Sequence, residues 1–171
     1  MTSRAFRRVV VTGVECSGKT TLSQLLSAHL GWPWTPEAAR THPDVLANRI
    51  TENTFDALHD LQSEAAAKAW KEGAEGVVCD TGDLVLRMWS EAVLDFSWHP
   101  LIPANPSVDL HILCPALEVW EADPLRTLPR LEDRLSLESQ YRAHLELRPH
   151  IVAEGSSPEE RLRHVMKMWP W

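Results

Sequence analysis

The sequence predicts an α/β fold in three layers, a parallel sheet of about five strands with helices on both faces. Three observations lead there. Short β-branched apolar runs alternate along the chain with stretches of helical periodicity. The first such run, RRVVVT, passes directly into the glycine-rich stretch GVECSGKTT and then into a helical pattern. The chain of 171 residues is long enough for one substantial core and short for two domains.

Residues 7 to 12 read as a strand buried on both faces, because the apolar run does not alternate with polar residues. From Lys19 to Leu30, Leu22, Leu25, Leu26 and Leu30 recur at helical spacing until Gly31 and Pro33 stop the pattern. WPWT, residues 32 to 35, reads as a short second strand. GVVCDT (76 to 81), VDLHILC (108 to 114) and HIVAEG (150 to 155) supply the third, fourth and fifth. Between them lie helical pieces: EAARTHPDVLANR, TFDALHDLQSEAAAKAWKEG, DLVLRMWSEAVLDF and LEDRLSLESQYRAHLEL. SPEERLRHVMKM closes the chain as a helix, with Ser157 as N-cap and Pro158 at the first position. Two loops interrupt the rhythm: the proline-rich SWHPLIPANPS, 97 to 107, and the arginine-bearing ADPLRTLPR, 122 to 130.

Charge and cysteine usage narrow the function classes. A formal net charge of −7 with scattered Lys and Arg gives nucleic acid or an anionic membrane little to bind, leaving a small-molecule partner. Cys16, Cys79 and Cys114 are odd in number and lack a CxxC spacing, which argues against a disulfide framework or zinc site and for a reducing cytoplasm. The basic start MTSRAFRR leads straight into the glycine-rich motif, so no targeting segment is expected, nor any membrane span. Oligomeric state is not readable from these features.

Gly13, Gly18, Lys19 and Thr20 satisfy G-x-x-x-x-G-K-[ST], with Glu15, Cys16, Ser17 and Thr21 completing the loop. In that pattern backbone N–H groups and the helix N-terminus cradle phosphates, the lysine reaches the terminal phosphates, and the Thr20 hydroxyl holds Mg²⁺. The metal needs a carboxylate near the end of an adjacent strand, and Asp80 is the candidate; Asp83 is expected to cap the helix that follows. Thr81 stands after Asp80, where a water-activating ATPase commonly carries a second carboxylate, so transfer to a bound acceptor leads over hydrolysis. Glu37, just beyond the second strand, is placed to orient or deprotonate an acceptor hydroxyl, with Arg40 binding substrate or pairing with Glu37. Arg126, Arg130 and Arg134 recur every four residues in a segment, 122 to 134, expected to act as a lid with at least one arginine in the site. Of eight tryptophans, Trp32, Trp34, Trp89 and Trp98 lie toward the acceptor side, although most are expected in the core.

With GVECSGKTTL, TPEAAR, VVCDTGDLVLRMWSE, EADPLRTLPR and VAEGSSPEERL in that order, the chain resembles the NadR-type ribosylnicotinamide kinase domain. That family is a branch of the P-loop small-molecule kinases, within the P-loop NTPase superfamily, and has an AAA-like ATP-binding domain. The resemblance implies ATP-dependent phosphorylation of a nucleoside-like hydroxyl, with Glu37 near the acceptor, Asp80 near the metal, and Arg126 in the lid with Arg130 as the alternative. Its acceptor would be nicotinamide riboside, held by Glu37, Arg40, Asp83, Trp89 and Trp98. A separate adenylyltransferase domain with an HxGH motif is not expected in a chain of this length, and the 97 to 107 loop has no counterpart in the pattern. The rival readings are a nucleotide-dependent regulatory ATPase or switch, and another small-molecule or nucleoside monophosphate kinase, for which Arg40 and Arg87 would supply cations.

Overall fold

A computed structural model describes residues 6–171. The basic amino-terminal segment, where no targeting signal is expected, begins in residues 1–5, outside the described residues. Five strands form one sheet: β1 Arg7–Gly13, β2 Trp34–Thr35, β3 Gly76–Asp80, β4 Leu110–Cys114 and β5 His150–Val152. Their order is β2-β3-β1-β4-β5 and every pairing is parallel. The helices are α1 Lys19–Leu30, α2 Pro43–Leu46, α3 Glu52–Lys71, α4 Asp83–Leu94, α5 Leu131–Leu145 and α6 Pro158–Lys167.

The sheet is covered on both faces, which is why its strands read as continuous apolar runs. Val9 and Val11 of β1, Val78 of β3 and Ile112 of β4 pack under Leu22 and Leu26 of α1 and Val165 of α6. On the opposite face Val10, Val77 and Cys79 meet Ala66 and Ala69 of α3. Leu113 there meets Leu84 and Met88 of α4, together with Tyr141 and Leu145 of α5. Each fully buried Leu or Val of this kind stabilises the fold by about 1.5–3 kcal/mol.

Three local expectations are corrected. The second strand pairs only over Trp34–Thr35, because Pro33 has no N–H to give and contributes its carbonyl, which accepts from Val78 N at 2.9 Å. The helical piece after it is split into a 3₁₀ turn, Ala38–Arg40, and the single turn of α2. Pro43 causes the break, since its ring cannot continue a helix but suits a first position. Asp83 does not cap α4: Gly82 occupies that place, and the Asp83 carboxylate lies 2.7 Å from His59 Nδ1. Among the described residues no helix is long and apolar enough to cross a membrane.

His111 of β4 stands in register with Val10 and His150 and is buried. Burial first, then the neighbouring Arg148 charge, pushes its imidazole from the ordinary 6.5 down to about 4. The unfolded chain therefore takes up this proton at a higher pH than the folded one. The stability associated with the neutral ring is complete above pH 6.5 and lost as pH falls toward about 4. His111→Gln is expected to flatten that part of the stability profile, as read by comparing urea midpoints of the two proteins across this window.

Candidate active site

The phosphate loop hangs from the carboxyl end of the central strand. At Gly13, φ is +133° and an added Cβ would stand 2.5 Å from the Cys114 carbonyl oxygen, so the close approach of β1 to β4 admits no side chain. At Gly18 the reason is conformational: φ is +81° at the N-cap of α1, where Leu22 N donates back to its carbonyl at 3.0 Å. Within the loop, Ser17 Oγ and Lys19 Nζ both donate to the Val14 carbonyl, each at 2.7 Å. A trans peptide sets its C=O and N–H in opposite directions. Holding the Val14 carbonyl in this way fixes the Val14–Glu15 peptide in front of α1. The concavity there receives the positive end of the helix, an arrangement suited to phosphate.

Beside the loop, Thr20 and Asp80 meet. Val11 pairs with Asp80 in the β1–β3 register, and the Thr20 hydroxyl donates to Asp80 Oδ2 at 2.6 Å. The second oxygen, Oδ1, is buried without a hydrogen-bond partner. Burial raises the Asp80 carboxyl above its ordinary 3.8, the Thr20 hydrogen bond pulls it back, and nearby Glu37 adds to the rise. An orphaned, desolvated carboxylate next to a hydroxyl fits a hard cation such as Mg²⁺. Among the described residues no cluster of three or more His, Cys, Asp or Glu is built to hold a metal alone. One carboxylate and one hydroxyl, with phosphates and water supplying the remaining oxygens, is the donor set Mg²⁺ takes in nucleotide sites.

Across from the loop stands Glu37, the N-cap of the 3₁₀ turn that follows β2. Arg40 Nε donates to Glu37 Oε2 at 3.0 Å, and Arg40 Nη1 donates to Asp123 in the lid segment. The phosphate loop, Glu37, Arg40 and Arg126 line one cavity of about 340 Å³. Its apolar wall comes from Leu86, Met88 and Trp89 of α4 and from Leu137 and Tyr141 of α5.

Other expected site residues fall elsewhere. Trp98 is 3% exposed, packs on Phe55 and His59, and donates its indole N–H to Asp56 at 2.9 Å, so it is core and no cavity wall. Trp32 is half-buried, packed against the core with its ring tilted beside Trp169. Asp83 is outside the cavity lining, its carboxylate held by His59. Of the three lid arginines, Arg126 lines the cavity and donates to the Glu121 carbonyl at 2.7 Å. Arg130 is exposed and pairs with Glu132 and Asp133, as a charge beside two carboxylates on a solvated surface does. Arg134 is wholly buried, donating to the carbonyls of Leu117 (2.8 Å), Leu128 (3.0 Å) and Pro129 (2.8 Å). It is the clasp of the connection between β4 and α5.

The structure also adds contacts that the sequence does not announce. The Glu15 side chain accepts from the backbone N–H groups of Thr127, at 2.9 Å, and Leu128. Cys16 Sγ lies 3.5 Å from the Glu121 carbonyl oxygen. Two phosphate-loop side chains thus hold the connection between β4 and α5, at Glu121 and at Thr127–Leu128. Gln62 of α3 enters the cavity lining and bonds Thr81 Oγ1 at 3.3 Å; on a long helix of mixed polarity no periodic signal marks it.

The sheet order, the loop and the Thr20–Asp80 pair together define a P-loop α/β protein. The AAA domain family profile matches residues 8–161, and the chain belongs to that family. Shikimate kinase of Nitratidesulfovibrio vulgaris is 36% identical over 92 residues, 51% of this chain and 51% of that protein. The chain therefore spans about half the length of the curated relative it matches. Among solved structures, NadR in complex with NR aligns over 94% of this chain and 50% of its own, at 18% identity and a TM-score of 0.70. Deoxyadenosine kinase from M. mycoides aligns over 94% of this chain and 97% of its own, at 13% identity and a TM-score of 0.61. A sugar kinase from Janibacter sp. HTCC2649 gives 95% and 93% coverage, 20% identity and a TM-score of 0.59. At these identities the structural likenesses carry the fold.

Removing the Glu15 acceptor is expected to loosen the lid. A hydrogen bond to a charged group contributes about 1.5–3 kcal/mol, so Glu15→Ala should speed amide exchange at Thr127 and Leu128 by roughly 10- to 100-fold. Exchange in β1 and β4 should stay unchanged. Hydrogen exchange read by mass spectrometry or NMR checks this.

Proposed function

We propose that the protein is a cytoplasmic ATP-dependent kinase that phosphorylates a hydroxyl of a small nucleoside-like acceptor, with nicotinamide riboside, giving the mononucleotide, as the favoured case. The observation that carries the reading is the cavity shared by the phosphate loop with Thr20, Glu37 and Arg126, Asp80 being hydrogen-bonded to Thr20 beside it. The loop in front of α1 would hold the donor phosphates, and Thr20 and Asp80 would hold Mg²⁺, which when bound would supply neutralisation of the charge on the transferring group. Glu37 accepts the acceptor hydroxyl proton or aligns it, while Lys19 and Arg126 stabilise the charge that spreads over the transferred oxygens. The apolar wall of Met88 and Trp89 suits an aromatic ring, and Trp89 can face a cationic one.

Acceptor class follows from where the cations are spent. A nucleoside monophosphate or a carboxylated alcohol brings its own negative charge and needs a cation on the acceptor side. Arg40 is bound between Glu37 and Asp123, and Arg87 is turned to Ser97 and Glu91, which favours an uncharged or cationic acceptor. The NadR structure with NR supports a riboside. The similarity to a shikimate kinase supports the second reading, an alcohol bearing a carboxylate, in which Arg40 would leave Asp123 for the substrate.

ADP release from MgATP is therefore expected to rise well above its acceptor-free background with nicotinamide riboside, and less with uridine, adenosine, thymidine monophosphate or shikimate. A riboside rate at background with a high shikimate rate would exchange the two readings, and background rates throughout, with slow hydrolysis, would favour a regulatory ATPase. The two carboxylates should also separate. Glu37→Gln should lower kcat by ~10²- to 10⁴-fold with nucleotide affinity nearly intact, whereas Asp80→Asn should change the Mg²⁺ dependence of nucleotide binding. Identical metal-dependent defects in both variants would overturn this division of roles.

A further inference from the structure

The last helix of the chain reaches back to the phosphate loop. Ser157 caps α6, its hydroxyl accepting from Glu160 N at 3.2 Å, and the Arg161 N–H closes the first turn on the Ser157 carbonyl at 3.0 Å. This start sets Arg161 directly behind the loop, only 7% exposed. Its Nη1 donates to the Ser17 carbonyl at 2.7 Å and its Nε to the Gly155 carbonyl at 3.2 Å. A Cβ placed on Gly18 would lie 3.7 Å from the same Nη1. Both bonds go to main-chain carbonyls, so this nearly buried guanidinium keeps its positive charge beside the loop. Such burial costs desolvation, which the two carbonyl bonds offset in part.

We infer that Arg161 is a positioning residue for nucleotide binding. By pulling the Ser17 carbonyl outward it turns the trans peptide so that the Gly18 N–H faces the concavity where phosphate binds. Through Gly155 it also ties the loop between β5 and α6 to the phosphate loop, so that the two move together. The charge adds a further attraction for anions from behind the cradle. The inference rests on the nucleotide-site reading given above, but it concerns binding and needs no acceptor.

The test measures dissociation constants for MgATP and for inorganic tripolyphosphate by calorimetry, with thermal midpoints recorded for each protein. Arg161→Gln is expected to weaken both ligands by roughly 10- to 100-fold, the range for losing a charged hydrogen bond that fixes a binding group. Arg161→Lys retains charge but lacks the fork that reaches both carbonyls, and should recover part of the loss. A folded Arg161→Gln protein with wild-type dissociation constants and only a lowered midpoint would overturn the inference. If Arg161→Gln does not fold, Arg161→Lys decides: intermediate weakening supports the role, and wild-type affinity overturns it. Failure of the unaltered protein to bind MgATP would instead defeat the nucleotide-site reading itself.

Discussion

The hydrogen bond from Thr20 to Asp80 spans 60 positions of sequence, and it exists because β1 and β3 are parallel neighbours in one register. With Val11 opposite Asp80 and Gly13 opposite Cys114, the strand ends of β1, β3 and β4 share an edge. Sheets of this order leave a crevice at that edge, beside the central strand where successive connections leave in opposite directions. The loop, the candidate metal carboxylate and Glu37 all emerge there. A slip of β3 by one residue would send Asp80 to the other face and leave Thr20 without its partner. The apolar packing of Val9, Val10, Val11, Val77 and Val78 on both faces resists such a slip.

A second set of interactions depends on the first. The connection between β4 and α5 is closed at its base by Arg134, whose guanidinium joins carbonyls from both ends of it and lies 5.4 Å from the ring centre of Trp120. Glu15, Cys16 and Arg40 fasten its middle from the phosphate-loop and acceptor sides. With both ends and the middle held, Arg126 is left at the cavity wall. The chain carries a net charge of −7, yet Lys19, Arg40 and Arg126 converge on this cavity, interleaved there with Glu15, Glu37 and Glu121. Global charge excluded nucleic acid as an expectation without bearing on phosphate.

How much of this could be read beforehand differs from residue to residue. α1 begins and ends where its leucine spacing and Gly31 put it, since both signals act within a turn of the helix. The Ser157 cap and Pro158 likewise mark α6, because capping is a contact between residues three apart. The helix expected after β2 is broken by Pro43, whose ring starts a new helical turn instead of continuing the one before it. The three arginines of the lid share one spacing and one side chain. They end as a cavity residue, a surface ion pair and a buried clasp, according to what each meets from elsewhere in the chain. Trp98 was drawn into the core by Phe55 and Asp56, which lie more than forty positions away from it.

The sequence by itself determined the alternation of strands and helices, the phosphate loop with its glycines, lysine and threonine, and Asp80 as the candidate partner of Thr20. These rest on backbone torsions, helical and strand periods, and motifs whose groups are contiguous, all of which are short-range. The tertiary structure decided which arginine faces the cavity, that Glu15 accepts from the Thr127 and Leu128 N–H groups, that Arg40 lies between Glu37 and Asp123, and that Arg161 donates to the Ser17 carbonyl. The physical reason is that a polar side chain takes its role from the partner it finds when water is excluded. Partners such as Ser17 and Arg161 lie 144 positions apart and meet only because two helices pack on the same face of one parallel sheet.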